Sequence, residues 1–521
     1  MSFKSKSVIS LIVALMLCIS SSAMACTAMY VGSGFTADGT TMFGRSEDIS
    51  NSYNKIMFVN EAGTFKAGEE YKGCYGFTYT FTHDSYAFNS MSDDNGAAVE
   101  NVCPDCGSTH KHNPYGAAGT NEKGVTVTAT ETISGGSKLI KEVDPFNKQT
   151  GIEEAEIPTV LLSEAATAKE AVELLVGIYA NVGAQGGSGI FIADNTETWY
   201  VENVSGKQYI AIKCSDNLVF AVPNQSAIGL IDLDDTENVI ASENLIAVAK
   251  QAGTYVGDEA ANTIDFIASY LPDQVANSRY FSALNHFNAA KAPTTQEAIV
   301  ETDYAISNVD ANGNIVPMYT NIELDHPFAI ADVIAYWDIP GIGSTGNLDC
   351  HIFQISKEDA LTDTVEWIAM DNGCYNVFVP YYPMLTNDFY GAYKVSTAKA
   401  AFVTEQPTEG IFYATEGRVR TAEGVQKVAG FKVLPENWAD SYYWTFDALS
   451  NICEFNGLTA EQIANVEAKL AELQNDAYAA MADMQAKVAE AADPAAVATQ
   501  ISAELAEKVH TEVVALVNAI K

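Results

Sequence analysis

The chain has 521 residues, 48% of them hydrophobic, and its 67 Asp and Glu against 28 Lys and Arg leave a formal charge of -39. This is a globular composition, enough for one very large core or two to three ordinary ones, and it excludes a disordered chain. So strong a negative balance disfavours nucleic acid and anionic membrane surfaces as partners, because like charges would repel.

The first 25 residues have the pattern of a secretory leader. Lys4 and Lys6 give a basic start, residues 8–19 are an apolar run too short to span a bilayer comfortably, and Ala23-Met24-Ala25 supplies the small residues a signal peptidase reads. Cleavage there would make Cys26 the first residue of a mature chain that is secreted or held in the cell envelope. No later stretch has the uninterrupted apolar length of a membrane helix, so no membrane association is expected once the leader is gone. A competing fate for Cys26 is lipidation of its sulfur and amine, but that usually calls for a Leu-like residue three before the cysteine, where this chain has Ala23. An ordinary buried or disulfide cysteine is a third reading, and it leaves the position at the cleavage point unexplained.

Residues 26–31 read as a strand and 32–39 as a turn-rich connection, in which Asp38-Gly39 supplies the positive backbone angles of a reversal. A second strand starts over 41–44, and Arg45-Ser46-Glu47-Asp48 follows near its end. Asn121-Glu122-Lys123-Gly124 is a turn leading into an alternating, β-branched strand over 125–131. A helical, Ala- and Leu-rich pattern covers 157–179. Strands follow over 189–193, 198–202, 209–212 and 218–222, the first two joined through Asp194-Asn195. Strand runs interleaved with helices argue for stacked antiparallel sheets covered by helices, an α+β chain.

Beyond Asn456 the pattern changes. Thr459-Ala460-Glu461-Gln462 forms a capping box ahead of Ile463, Val466, Leu470, Leu473, Met481, Met484 and Val488 at three-four spacing. Asp493-Pro494 stops that helix and caps another carrying Val497, Ile501, Leu505, Val509 and Val513. The expected organisation is a leader over 1–25, a main body over 26–400, a mixed peripheral segment over 401–455 and a helical hairpin over 456–521.

Of the nine cysteines, setting aside Cys18 in the leader and Cys26 leaves seven, which cannot all pair within one chain. Cys103-Pro-Asp-Cys106, with His110 and His112 beyond, has the residue types of a metal clip. Zinc sites normally draw ligands from two separated pairs, whereas these crowd one loop, so a disulfide or a plain loop is the better reading.

Cys26 carries the most chemistry. Amide hydrolysis needs a nucleophile, a base for its proton, an acid for the leaving amine and donors for the oxyanion. A cysteine with a free α-amine covers the first three, since that amine titrates near ~7.7–8.0 and a thiol near ~8.5. Such a site still needs a cation to favour thiolate and a carboxylate to hold the amine. Arg45 and Asp48 supply those types on the segment that returns beside the first strand; the alternative is a surface Arg/Asp ion pair.

Cys26-Thr-Ala-Met-Tyr-Val-Gly32, then Asp38-Gly39-Thr40, then Arg45-x-x-Asp48, resembles the opening of the cysteine dipeptidases among the N-terminal-nucleophile hydrolases. The resemblance continues through Asn121-Glu-Lys-Gly-Val125 with Ala129-Thr-Glu-Thr132, Phe191-Ile-Ala-Asp194 leading to Trp199 and Glu202, and Ala221-Val-Pro-Asn-Gln225. Weaker echoes are Ser278-Arg279-Tyr280, Val365-Glu366-Trp367 and the segment from Ser441 to Phe446, while Gln354-Ile355-Ser356 departs from the family by lacking an arginine.

The resemblance implies a four-layer αββα sandwich with a C-terminal helical segment. It implies Cys26 as nucleophile, Arg45 and Asp48 as its orienting partners, Asn224 as an oxyanion donor and Arg279 as part of the cationic wall. Glu131 stands where amide-hydrolase relatives carry an asparagine; an ionised carboxylate cannot donate to an oxyanion, so its expected role is to bind the free amino group of a peptide. The substrate is then a dipeptide or very short peptide, cleaved through a thioester without any cofactor. The alternatives are a related hydrolase of acylated amino acids or bile conjugates, and a non-catalytic lipoprotein anchored at Cys26. A homo-oligomer is compatible with the sequence, which fixes neither oligomeric state nor side-chain preference.

Overall fold

The computed structural model describes residues 26–48, 54–73, 76–94, 115–133, 137–272, 274, 278–287, 326–358, 361, 364–395, 400–421 and 424–521. In chain order the strands that frame the site begin with β1 (Thr27–Val31), β2 (Thr41–Asp48), β3 (Lys55–Asn60), β4 (Phe88–Asp93), β5 (Gly116–Thr120), β6 (Thr126–Ile133) and β7 (Gly187–Ala193). They continue with β8 (Thr198–Asn203), β9 (Tyr209–Lys213), β10 (Val219–Val222), β11 (Val239–Ala241), β12 (Asn347–Ile355), β13 (Val365–Met370) and β14 (Val379–Tyr381). Six form a sheet ordered β10-β1-β2-β12-β13-β14, and eight form a second ordered β11-β9-β8-β7-β6-β5-β4-β3. Neighbours in both are antiparallel, so the chain is α+β with hairpin-type sheets.

The sheets are built by period-two alternation, which sends successive side chains to opposite faces. Ala28 and Tyr30 on β1, Phe43 on β2, Phe220 and Val222 on β10 and Phe353 on β12 pack against Phe191, Tyr200 and Ile210 of the other sheet. The alternate residues Met29, Val31, Met42 and Ile352 face away, into a core shared with the C-terminal helices through Leu473, Met484, Leu505 and Val513. On the eight-stranded sheet Val127, Ile190, Ile192, Trp199 and Val201 pack on helices α1 (Ile157–Glu164) and α2 (Ala168–Asn181).

Several elements differ in detail from the sequence reading. The second strand runs through Asp48, so Arg45 and Asp48 belong to β2 and, three residues apart, face opposite ways. The single helix expected over 157–179 is two, because Thr167 accepts the Glu170 N–H and caps a second start. At the 38–39 reversal only Gly39 has a positive φ, 74°; Asp38 instead accepts from the Thr40 N–H and hydroxyl. Asn121 organises its turn, accepting from the Lys123 and Val125 N–H groups and donating to Leu162 and Ala165 carbonyls.

Helices α3 (Ser278–Phe287) and α4 (Ile330–Trp337) precede β12, and at the far end lie α5 (Tyr442–Phe455), α6 (Ala460–Glu490) and α7 (Pro494–Ile520). Thr459 and Gln462 form a reciprocal capping box at the start of α6, and Asp493 caps α7. Among the described residues no helix is long and apolar enough to cross a membrane.

Candidate active site

The layer between the two sheets is chemically divided. One part is aromatic, with Phe43 stacked on Phe191 and Phe191 against Tyr200. The other is charged: on the same face of β2 as Phe43 come Arg45 and Glu47, opposite His351 and Asp349 of β12. Arg45 is fully buried and forks, donating from Nη2 to Glu47 at 2.6 Å and from Nη1 to Glu154 at 2.7 Å. Lys55, equally buried, donates to Glu47 at 2.7 Å and Asp93 at 2.5 Å. His351 meets Asp349 through Nδ1 at 2.8 Å and Thr128 through Nε2 at 2.9 Å.

Formal charges explain the depth of this network. Arg45 and Lys55 answer Glu47, Glu154, Asp93 and Asp349, and buried ions persist only when paired and hydrogen-bonded. The flanking carboxylates hold the Arg45 guanidinium and the Lys55 ammonium charged against the cost of burial. Burial keeps the His351 ring below its ordinary value, and both ring nitrogens are engaged, so this histidine serves the network.

Cys26 sits half-buried at the edge of that network. Continuing the β1 register sets it between Glu47 on one side and Asn224 on the other. Its sulfur accepts the Asp48 N–H at 3.5 Å. Burial first, then the Glu154 charge, pushes the thiol up to about 12; Arg45 pulls the other way, and Asp48 and Glu47 add to the rise.

The Asp48 carboxylate turns away from Arg45 and accepts from Asn347 at 2.5 Å. Burial lifts it to about 7, against the hydrogen bond from Asn347 and the charge of Arg279. Arg279, from α3, ties the remaining parts together. It donates to the Cys26 carbonyl at 2.9 Å, the Thr27 hydroxyl at 2.6 Å, the Pro223 carbonyl at 3.2 Å and Asn224 Oδ1 at 2.6 Å. A guanidinium only donates, so it fixes the Asn224 amide with oxygen toward Arg279 and leaves Nδ2 as the donor end. Asn224 holds a left-handed φ of 57°, two residues past the end of β10.

Cys26, Arg45, Asp48, Asn224 and Arg279 thus converge on one end of the six-stranded sheet, although Arg45 pairs with Glu47 and Glu154 rather than Asp48. Glu131 lies on β6, and its side chain is outside the described residues, as are Cys103, Cys106, His110 and His112. Among the described residues no group of three or more His, Cys, Asp or Glu is arranged to hold a metal, and Cys214, Cys350, Cys374 and Cys453 are free thiols like Cys26.

A family model, peptidase family C69, matches residues 25–407, beginning one residue before the candidate nucleophile. The chain belongs to peptidase family C69. It is a cysteine-type peptidase, and the convergence around Cys26 lies within the matched span. It is similar to a probable dipeptidase B of Streptococcus pyogenes serotype M1, 29% identical over 391 residues that cover 72% of this chain and 75% of that one. A probable dipeptidase of Salmonella dublin is 27% identical over 369 residues, 69% and 81% of the two chains. A dipeptidase of Bifidobacterium longum is 30% identical over 225 residues, 41% and 39% of the two.

The partners of this C69 peptidase's candidate residues were largely hidden in the sequence. Glu47, two residues after Arg45 on one strand and hence on one face, was missed because the strand was not carried beyond Gly44. Glu154 and Asn347 stand 109 and 299 residues from the side chains they hold, and no local spacing announces either.

Proposed function

We propose that this peptidase is an exported dipeptidase whose leader ends at Ala25, and that the α-amine freed on Cys26 is its general base. The observation that carries this reading is the placement of Cys26 immediately before β1, its sulfur against the Asp48 N–H and no imidazole bonded to it among the described residues to take its proton. An amine on the same residue meets the need directly. The names of the relatives support a dipeptide substrate.

In the first half-reaction the α-amine takes the thiol proton and Sγ bonds to the carbonyl carbon of the scissile amide, whose oxygen becomes the oxyanion. Asn224 Nδ2 donates to that oxygen, and Arg45 favours the thiolate. Collapse breaks the C–N bond, with the ammonium returning its proton to the leaving nitrogen. Water then attacks the thioester, giving its proton to the amine, and the released sulfur recovers it. Asp48 orients the amine, and Glu131 binds the substrate's ammonium group.

The helix–sheet–sheet–helix order of the three cores favours the four-layer αββα arrangement of the N-terminal-nucleophile hydrolases, with the segment beyond residue 455 as its helical end. Intact mass of the exported protein, with a panel of dipeptides beside N-acylated amino acids, tests the reading. An unmodified Cys26 start and release from dipeptides are expected. A diacylglycerol-sized addition at Cys26, or release from acylated substrates alone, would overturn it.

A further inference from the structure

Glu202 ends the inner face of β8, fully buried between the sheets, and among the described residues no lysine or arginine pairs with it. A carboxylate buried without a counter-ion is costly, and an apolar residue of similar volume would pack there more cheaply. What Glu202 does instead is hold a loop. Its Oε2 accepts from the Ser226 hydroxyl, and its Oε1 accepts from the Ala227 N–H at 2.7 Å. Burial raises the carboxyl to about 7 even so.

That loop begins with Asn224, whose φ of 57° is unfavourable for a residue with a side chain. Such a conformation persists only where the surroundings over-determine it. They do so from three sides. Gln274 clamps Ser226 reciprocally, accepting from its N–H at 2.8 Å and donating to its carbonyl at 2.9 Å. Arg279 holds Pro223 and Asn224 from the side of Cys26. Glu202 holds Ser226 and Ala227 from the eight-stranded sheet below.

We propose that Glu202 is a positioning residue, which fixes the Ser226–Ala227 backbone so that the Asn224 side-chain amide stands opposite the Cys26 sulfur. The proposal rests on the reading of Asn224 as an oxyanion donor. It makes the eight-stranded sheet, which carries no part of the nucleophile, a support for the transition state. A donor used only in the transition state affects kcat, whereas substrate binding and the thiol itself are untouched.

The test uses the mature enzyme and two variants, Glu202→Gln and Ser226→Ala, with kcat and KM on a dipeptide, the rate of Cys26 alkylation by iodoacetamide, and circular dichroism. Removing an oxyanion donor costs about 10²–10³ in kcat, so displacing one by Glu202→Gln should cost about tenfold or more, with KM and alkylation changed less than about threefold. Unchanged kcat, a change confined to KM, or alkylation that falls in step with kcat would each overturn the proposal. If Glu202→Gln does not fold, Ser226→Ala decides: kcat lowered about threefold or more supports it, and parental kcat removes it. Parent enzyme that still turns over after complete alkylation of Cys26 would instead remove the thioester reading, and this proposal with it.

Discussion

The Asp48 N–H points at the Cys26 sulfur from 3.5 Å while the Asp48 carboxylate is held by Asn347 at 2.5 Å, so one residue touches the thiol with its main chain and is itself fixed by a strand far along the chain. The hairpin of β1 and β2 supplies the first contact, and β12 the second. Catalysis and sheet register are therefore tested by the same substitutions.

A mature protein carrying one extra alanine ahead of Cys26 should lose turnover by about 10²-fold or more, because the base becomes a peptide nitrogen. Cys26→Ala should abolish turnover and leave the circular dichroism spectrum unchanged. Full activity of the extended protein would leave the α-amine without a role, and full activity of Cys26→Ala would leave the thiol without one.

Arg45→Met should be costly for folding as well as for chemistry. It leaves Glu47 sharing Lys55 and Glu154 without its fork, and breaking a buried pair in this way costs about 3–5 kcal/mol. Urea denaturation should show a lower midpoint at unchanged slope. Arg45→Lys should be nearly as damaging, since a point charge cannot reach both carboxylates as the fork does. Adding Glu154→Gln to Arg45→Met should recover part of the loss, and strict additivity of the two would argue against their coupling.

The pH dependence of Asp48 has a definite sign. Its carboxyl is raised to about 7, mainly by burial, so its contribution to stability is present below its unfolded value of about 3.9 and declines as pH rises through 7. Asp48→Asn cannot ionise, so the variant should gain in Tm relative to the parent more at pH 8 than at pH 5. Turnover should rise with pH in both proteins as the α-ammonium gives up its proton, and the parent should show an additional rise from Asp48 ionisation that the variant lacks. The α-ammonium of a mature chain adds a cation, which shifts that additional rise below pH 7. A Tm difference independent of pH would show that Asp48 does not titrate in the folded protein.

What was legible in the sequence follows from how local each signal is. Cys26, Arg45 and Asp48 share one hairpin, and Thr459 with Gln462 carries its capping box within four residues; both are readable from spacing. The Thr167 cap was masked by a continuous apolar pattern over residues 157–179, although Thr167 and Glu170 stand at capping distance. Glu154, Asn347 and Lys55 reach the site only through sheet pairing and loop packing, and composition marks them as ordinary surface types. Period-two alternation on β2 could have placed Glu47 beside Arg45 and separated both from Asp48, had the strand been carried beyond Gly44.

Two glycines should respond oppositely to alanine. Gly44 lies on β2 opposite Ile352, and a Cβ there would stand 2.0 Å from the His351 carbonyl oxygen, a backbone atom that a rotamer change cannot move. Gly44→Ala must therefore push β2 from β12, the pair that carries Arg45 against His351 and Asp48 against Asn347, so Tm and kcat should fall together. Gly177 lies inside α2, where a Cβ would meet no described atom within 4 Å and where alanine is favoured over glycine by about 1 kcal/mol. Gly177→Ala should raise Tm and leave kcat unchanged. Thermal melts beside dipeptide turnover for the two variants check both, and a Gly44→Ala enzyme with parental Tm would mean that the spacing of β2 and β12 does not govern the site.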